Sequence, residues 1–201
     1  MSKESKRQQV IKLIQEQSVV RPRDLTERGL PKDYLYILEK EGIIERVGRG
    51  LYQWPNKDLG RHQSLAEVSK LAPKAVVALL SALNYHNMTT QNPHKIWLAI
   101  DGKAWRPEIS YPPVHFVTMS GEALHAGVET HSIEGVPIKV FCPAKTVVDC
   151  FKYRNKVGLD VALEALREGW SARKFTMDEL MRYAEICRVK KVMQPYLESL
   201  V

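Results

Sequence analysis

The strongest constraint in the sequence is the spacing of prolines and glycines in its N-terminal part. Pro22 suits the first turn of a helix and Gly29 its C-terminal end, and Pro31 and Gly42 bracket a second segment of about eleven residues in the same way. Only two residues separate the two predicted helices. A glycine-containing connection this short between helices is typical of a helix-turn-helix.

An amphipathic helix is predicted before these segments and a hairpin after them. Val10, Leu13 and Ile14 recur on one helical face within roughly residues 5–17. The stretch IIERVGRGLYQW alternates apolar and polar residues and turns at Gly-Arg-Gly, where each glycine permits the positive φ of a tight turn. Three helices followed by a hairpin predict a winged helix-turn-helix domain over residues 1–54.

The segment from Pro31 to Gly42 has one helical face suited to a protein core and another suited to DNA. Its predicted buried stripe is Leu35 and Leu38, with Tyr34 or Ile37 beside them. On the outward face, Lys32 can donate to guanine acceptors, and Tyr36 can touch a thymine methyl group or a phosphate. Asp33 can accept a hydrogen bond from cytosine, although capping of its own helix is the favoured role.

The predicted DNA-binding residues combine this outward face with basic residues of the preceding helix and of the hairpin. A basic hairpin tip can lie along the phosphate backbone or enter the minor groove. The full set is Arg23, Lys32, Asp33, Tyr36, Lys40, Arg46 and Arg49. Winged helices also serve as protein–protein modules, and an arginine between two glycines also occurs as a solvated turn. A role as a protein–protein adaptor therefore stays open.

The charge balance agrees with DNA binding without establishing it. The formal net charge is +7; residues 1–53 hold 11 Lys/Arg against 8 Asp/Glu, and the rest of the chain holds 19 against 15. No apolar run approaches the roughly 20 residues of a membrane-spanning helix, and the start, MSKESKRQQV, lacks the apolar core of a signal peptide. Three widely spaced cysteines indicate no disulfide framework. We expect a cytoplasmic protein.

Residues 62–201 predict a second, α+β domain, joined to the first near residues 54–62. Two helical patterns, HQSLAEVSKLAP and KAVVALLSALNYHN, lead into the strands, and the chain is helical from PAKTVVDCFKYR onward. The strand-like runs are 95–100, 114–119, 127–133 and 136–141, the last two an antiparallel pair turning at Glu134-Gly135. The predicted class is α+β: a winged helix-turn-helix, then a mixed α/β domain with a small, largely antiparallel sheet and a helical end.

The sequence carries no convincing catalytic, cofactor or metal site. It has neither a phosphate-binding P-loop nor a GxGxxG turn, and no GxSxG nucleophile. Asp101 ends an apolar strand, where nucleases often place a metal-binding carboxylate, although Gly102 directly after it favours a turn. A metal-dependent nuclease to which the winged helix delivers DNA is therefore the alternative to a DNA-binding regulator.

Three segments together resemble a known family. The helix-turn-helix ending in RVGRGLYQWP, the helix AVVALLSALNYHNM and above all VFCPAKTVVDCFKYRNKVGLDVALEALREGW are similar to the AbiEi family, the antitoxins of bacterial abortive-infection type IV toxin–antitoxin systems. The family pattern Pro-x-(Arg/Lys)-Thr-apolar-apolar-Asp falls on Pro143, Lys145, Thr146 and Asp149. The last 25 residues, 177–201, carry no pattern of that family.

The resemblance implies a two-part protein of phage defence. Its winged helix is expected to repress its own operon by binding inverted repeats in the promoter. Its C-terminal domain is expected to assist on DNA and to counteract a nucleotidyltransferase-like toxin without forming a stable complex with it. The residues alone also allow a structural interpretation of CPAKTVVDCF, in which Pro143 begins a helix and Asp149 caps it or pairs with Lys145. Both interpretations stay open.

Overall fold

The computed structural model describes residues 5–55 and 62–200. The central part of the joint predicted near residues 54–62 lies outside these ranges. The class is α+β, as predicted, with a helix-rich N-terminal part and a mixed sheet with helices in the C-terminal part. No helix in the described ranges combines the length and the apolar content that crossing a bilayer requires.

The chain folds into two compact units. The first comprises the described residues up to 73 together with 132–138, and the second comprises 74–131 and the described residues from 139 onward. Each unit has a hydrophobic core of its own.

The first unit begins with three helices and a hairpin, in the predicted order. Its elements are α1 (Lys6–Glu16), α2 (Pro22–Thr26), α3 (Asp33–Lys40), β1 (Glu45–Gly48), β2 (Leu51–Gln53) and α4 (Gln63–Leu71). The main core of this unit is formed by buried apolar side chains of α1, α2 and α3 and of the segments next to them: Val10, Leu13, Ile14, Val20, Leu25, Leu30, Leu35, Leu38 and Ile44. Each of the short helices thus packs its apolar stripe into one shared core.

Helix α4 is tied to this unit by a largely buried ion pair. The Lys70 ammonium lies 2.6 Å from Asp24 Oδ2 and donates to Gln17 Oε1 at 3.0 Å. The same Asp24 oxygen accepts a hydrogen bond from the Arg21 backbone N–H at 2.8 Å, which satisfies an N–H group at the start of α2. Lys70 therefore stabilises the position of α4 and of α2 together.

A hairpin tip also belongs to the first unit. Glu134 and Gly135 both have positive φ, at 46° and 76°, as the predicted two-residue turn requires. The Ser18 N–H donates to the Glu134 carbonyl at 3.0 Å. A Cβ on Gly135 would lie 2.6 Å from the Glu16 carbonyl oxygen, so that only glycine fits this turn.

The second unit is a five-stranded sheet with helices, and the strand order is β5-β4-β3-β7-β6. Its elements are β3 (Val76–Val77), α5 (Leu79–Tyr85), β4 (Ile96–Asp101), β5 (Val114–Met119), α6 (Glu122–His125), β6 (Val128–Ile133), β7 (Val136–Phe141), α7 (Pro143–Lys152), α8 (Arg154–Val157), α9 (Leu159–Ser171), α10 (Met177–Ile186) and α11 (Lys190–Glu198). All four predicted strands are present. Residues 132–138, at the tip of the β6–β7 hairpin, count with the first unit.

The prediction of a largely antiparallel sheet is wrong, because two of its strand pairs are parallel. The two-residue strand β3 was not predicted either. It pairs antiparallel with β4 but parallel with β7, and β4 runs parallel to β5. The run KAVVALLSALNYHN predicted one buried helix, yet Val76 and Val77 are extended and only Leu79 onward is helical. A short apolar run is equally compatible with a buried strand, and β-branched valines favour the strand.

His86, at the end of α5, is held inside the second unit. Its Nε2 lies 2.7 Å from the Phe141 carbonyl oxygen. Burial lowers the pKa of the His86 imidazole, and the hydrogen bond to Phe141 opposes part of that decrease. The unfolded chain therefore takes up a proton near the ordinary value of about 6.5, whereas the folded chain takes it up only at lower pH.

We expect the His86→Gln variant to lose less stability on acidification than the wild type does. Below about pH 6.5 the unfolded state binds more protons at this position, so that folding becomes weaker as the pH falls. Urea unfolding at about pH 7 and about pH 5 measures the difference. The exposed His94 provides the control, since His94→Gln should follow the wild type. An unchanged pH dependence in His86→Gln would contradict the assignment.

Candidate DNA interface

Helix α3 is anchored to the core through one face. Leu35 and Leu38 are buried in the first unit. Tyr34 is half-buried and packs against the same core, whereas the Ile37 side chain is 43% exposed. Of the two flanking residues left open by the sequence, Tyr34 therefore completes the buried stripe.

The opposite face of α3 is a row of exposed side chains: Asp33, Tyr36, Ile37 and Lys40. Their spacing of three and four residues places them on one side of the helix. Tyr36 is 56% exposed, and the Lys40 ammonium lies 4.7 Å from the centroid of its ring. The row thus presents a cation, an aromatic ring, an aliphatic side chain and a carboxylate to the exterior.

The favoured capping role of Asp33 is wrong. The residue before the helix is Lys32, whose side chain makes no capping hydrogen bond, and Asp33 occupies the first helical position. From there its carboxylate is favourably placed toward the positive end of the helix dipole. Both Lys32 and Asp33 are exposed at the N-terminal end of the outward face.

The hairpin after α3 is fixed to the body of the unit. Tyr52 in β2 exchanges backbone hydrogen bonds with Val20, at 2.8 and 3.0 Å, so that one residue of the α1–α2 connection extends the small sheet. Leu51 is buried, and the Gln53 amide donates to Glu45 Oε1 across the strands at 2.6 Å. The base of the hairpin is therefore fixed by backbone and side-chain hydrogen bonds.

The hairpin carries both predicted arginines, Arg46 in β1 and Arg49 in the turn. Arg46 is exposed, and its Nε donates to the Gly48 carbonyl at 3.2 Å, where the pairing shifts by one residue between Arg46 and Gly48. Gly50 has a φ of +68°, whereas Gly48 does not adopt a positive φ, so that Gly50 is the glycine that the turn requires. Arg49 is exposed, and no carboxylate of the described residues forms an ion pair with it.

Two other arginines of the first unit form ion pairs with glutamates. Arg23 Nε lies 2.7 Å from Glu27 on α2, and both side chains are well exposed. Arg7 of α1 pairs with Glu41, just beyond α3, at 2.5 Å. Exposed pairs of this kind contribute about 0–1 kcal/mol, so that Arg23 can exchange its glutamate for a phosphate at little cost.

Ile37 was not identified from the sequence as a DNA-facing residue. It lies between Tyr36 and Lys40 on the outward row, and an exposed aliphatic side chain there can contact a thymine methyl group. The available signal was its spacing of four residues from Asp33 and three from Lys40. Its apolar character had instead made it an alternative for the core.

The polar residues of the CPAKTVVDCF stretch are inside the second unit. Lys145 Nζ lies 2.5 Å from Asp149 Oδ2, and both side chains are buried. Thr146 Oγ1 donates to the Phe141 carbonyl at 3.0 Å. Pro143 occupies the first turn of α7, as predicted. The three polar side chains bond within the unit, which supports the structural interpretation of this motif.

Burial also governs the titration of this cluster. It raises the pKa of the Asp149 carboxyl, and the Lys145 charge opposes that increase. The Cys187 thiol donates to Asp149 Oδ1 at 3.4 Å, and burial, reinforced by the Asp149 charge, raises the pKa of Cys187 to about 11. Cys150 is fully buried and its pKa is raised well above the ordinary value. These thiols stay protonated at neutral pH and are poor nucleophiles.

Asp101, the carboxylate considered for a nuclease, ends β4 in a turn. Its Oδ1 accepts a hydrogen bond from the Lys103 N–H at 2.8 Å, as the favoured turn role requires. It also lines a cavity of about 360 Å³ whose other polar side chains are Lys74, His125 and Lys139. Within residues 5–55 and 62–200, no group of three or more His, Cys, Asp or Glu side chains is placed to hold a metal ion.

Comparison with known proteins gives one family match. Residues 8–55 match the model of a family described as "Transcriptional regulator, AbiEi antitoxin", which confirms the resemblance over that segment. The match covers 48 of the 201 residues, from α1 through β2, and includes every predicted DNA-binding residue. It ends before CPAKTVVDCF. No curated protein matches the chain.

Proposed function

We propose that this protein, whose residues 8–55 match the AbiEi family of antitoxin transcriptional regulators, represses its own promoter through a winged helix-turn-helix. The observation that carries the proposal is the outward row on α3, next in the chain to an arginine-bearing hairpin. Leu35 and Leu38 of α3 are buried in the core, so that the outward row is available to a ligand.

In the proposed complex, α3 enters the major groove, whose width of about 12 Å admits a helix. Lys32, Asp33 and Tyr36 lie at the N-terminal half of α3, from which recognition helices reach base edges. Arg46 and Arg49 then lie along the phosphate backbone or in the minor groove. Inverted repeats in the promoter place two copies side by side, as two-fold symmetric operators do.

The antitoxin activity is assigned to residues 62–201 and the DNA-binding activity to residues 1–54. This division rests on the family resemblance, which names a nucleotidyltransferase-like toxin as a functional partner that the antitoxin does not stably contact. The protein acts in the cytoplasm, where its operator lies. The burial of Lys145 and Asp149 supports a role of the motif in holding α7 in place.

Substitutions on α3 and at the hairpin tip should affect different properties of DNA binding. Tyr36→Ala and Lys32→Ala are expected to relax sequence preference by about 1–3 kcal/mol per lost base contact, because they remove groups that read bases. Arg49→Ala is expected to weaken binding to all duplexes alike, because it removes a phosphate contact. Gel-shift titration of the upstream promoter DNA against a shuffled duplex of equal length measures both effects.

Lys12→Ala, an exposed lysine of α1 outside the predicted set, is the matched control and should bind as the wild type does. Equal and negligible effects of the three test substitutions would rule out this mode of binding. Magnesium-dependent cleavage of the duplex, lost in Asp101→Ala, would instead support the nuclease. Salt-insensitive capture of a protein partner without any DNA shift would support the adaptor.

A further inference from the structure

The connection between β4 and β5, residues 102–113, exposes two large aromatic side chains. Trp105 is 79% exposed and Tyr111 is 71% exposed, the highest values among the large apolar side chains of the described residues. Tryptophan is highly buried on average in folded proteins. Neither ring contributes to the core of the second unit, so the fold itself does not account for them.

Cations flank the exposed tryptophan. Lys103 and Arg106 lie two residues before and one residue after Trp105, and both are exposed. Arg106 Nη2 donates to Thr118 Oγ1 at 2.8 Å, which holds its guanidinium beside β5, the edge strand of the sheet. Glu108 is the one acidic residue of the connection, whose formal charge is therefore +1.

The same edge strand leads to a second group of rings and cations. The Tyr153 hydroxyl donates to the Thr118 carbonyl at 2.8 Å, and the Lys156 ammonium lies 5.6 Å from the centroid of the Tyr153 ring. Trp97 and His115 are paired across β4 and β5, with ring centroids 4.3 Å apart, and both are half-buried.

His115 lies close to two lysines. Burial lowers the pKa of the His115 imidazole, and the charges of Lys156 and Lys95 lower it further. His115 and Thr118 are three residues apart in β5, so their side chains are on opposite faces of the sheet, and it is Thr118 that contacts both Arg106 and Tyr153.

We infer that residues 102–113 and the β5 edge, here called the aromatic edge, bind single-stranded nucleic acid. Trp105 and Tyr111 stack on unpaired bases, and Lys103, Arg106 and Lys156 neutralise phosphates. Successive aromatic platforms in a basic setting are the means by which proteins bind single strands without sequence preference. A duplex offers no free base face for stacking. The aromatic edge would therefore bind a different form of nucleic acid from the duplex proposed for α3.

The test uses the full chain with fluorescein-labelled oligouridine and oligothymidine of about 12 nucleotides, read by fluorescence anisotropy. Trp105→Ala and Tyr111→Ala are each expected to weaken binding by about tenfold, and Trp105→Phe, which keeps a stacking ring, should retain most of the affinity. Trp105 and Tyr111 are exposed, so that the variants are expected to melt as the wild type does.

Two controls locate the effect. Leu159→Ala removes another exposed apolar side chain of the second unit and should leave single-strand binding unchanged. Arg49→Glu is predicted to impair duplex binding only, so that failure of the proposed operator binding and failure of the aromatic edge give different results. Equal affinity for the two oligonucleotides supports recognition by stacking and charge, and preference for oligouridine supports additional contact with the 2′-hydroxyl.

Three results would overturn the inference. They are no binding of either oligonucleotide, wild-type affinity in Trp105→Ala, and a loss in Arg49→Glu as large as in Trp105→Ala. The last would assign single-strand binding to the hairpin of the first unit.

Discussion

Replacing Asp149 with alanine is expected to lower the free energy of unfolding by about 3–5 kcal/mol, the cost of leaving one member of a buried ion pair without its partner. The Lys145 ammonium group has no contact with solvent in the native structure, because the side chain is fully buried between Asp149 and the Phe141 ring. Loss of Asp149 also removes the acceptor of the Cys187 thiol. Urea unfolding of the variant at neutral pH measures the change.

A double-mutant cycle separates the ion pair from the loss of side-chain volume. Lys145→Met/Asp149→Leu replaces both charges with apolar groups of comparable size. This double variant should be far more stable than the summed effects of Lys145→Met and Asp149→Leu predict. Lys190→Ala is the matched control, because Lys190 pairs with Glu185 at 2.7 Å on the surface of the same unit and should change stability by about 0.5 kcal/mol or less. A cost of under about 1 kcal/mol for Asp149→Ala would show that water reaches the pair.

Elements with local sequence signals were predictable in this chain. Thr176 and Glu179 form a capping box at the start of α10: the Thr176 Oγ1 accepts from the Glu179 N–H at 3.2 Å, and the Thr176 N–H donates to Glu179 Oε2 at 2.8 Å. The proline and glycine spacing of the first unit likewise predicted the order of α2 and α3. In each case, the interacting groups lie within one or two turns of each other in the chain.

Features set by distant contacts were not predictable from these patterns. Strand β3 has two residues, and its pairing with β4 and β7 determines the sheet order. The ion pair between Lys70 and Asp24 joins positions 46 residues apart. In the candidate site, the same limit applies to the choice between Tyr34 and Ile37, which lie one turn apart on the same flank of the buried stripe. The packing of the other helices decides which of them is buried.

Reversing the charges of the two hairpin arginines, Arg46→Glu/Arg49→Glu, is expected to weaken binding to any duplex by roughly 100-fold at about 0.1 M salt. Each phosphate contact releases condensed counterions, and each introduced carboxylate adds repulsion. If about six phosphates are neutralised per site, the slope of log affinity against log salt is about −5 for the wild type and about −4 once two contacts are lost. Anisotropy titrations from about 0.05 to 0.2 M salt measure both quantities.

The matched control is Lys6→Glu/Lys12→Glu, which changes the net charge by the same amount at two exposed positions of α1. If the hairpin tip contacts the backbone, the control keeps the steep salt dependence and loses much less affinity, because long-range repulsion alone is screened beyond about 10 Å at 0.1 M salt. Equal losses in the two double variants would mean that net charge, and not the placement of Arg46 and Arg49, governs binding. The hairpin would then be a structural support for α3 and the base-reading helix would carry the interface alone.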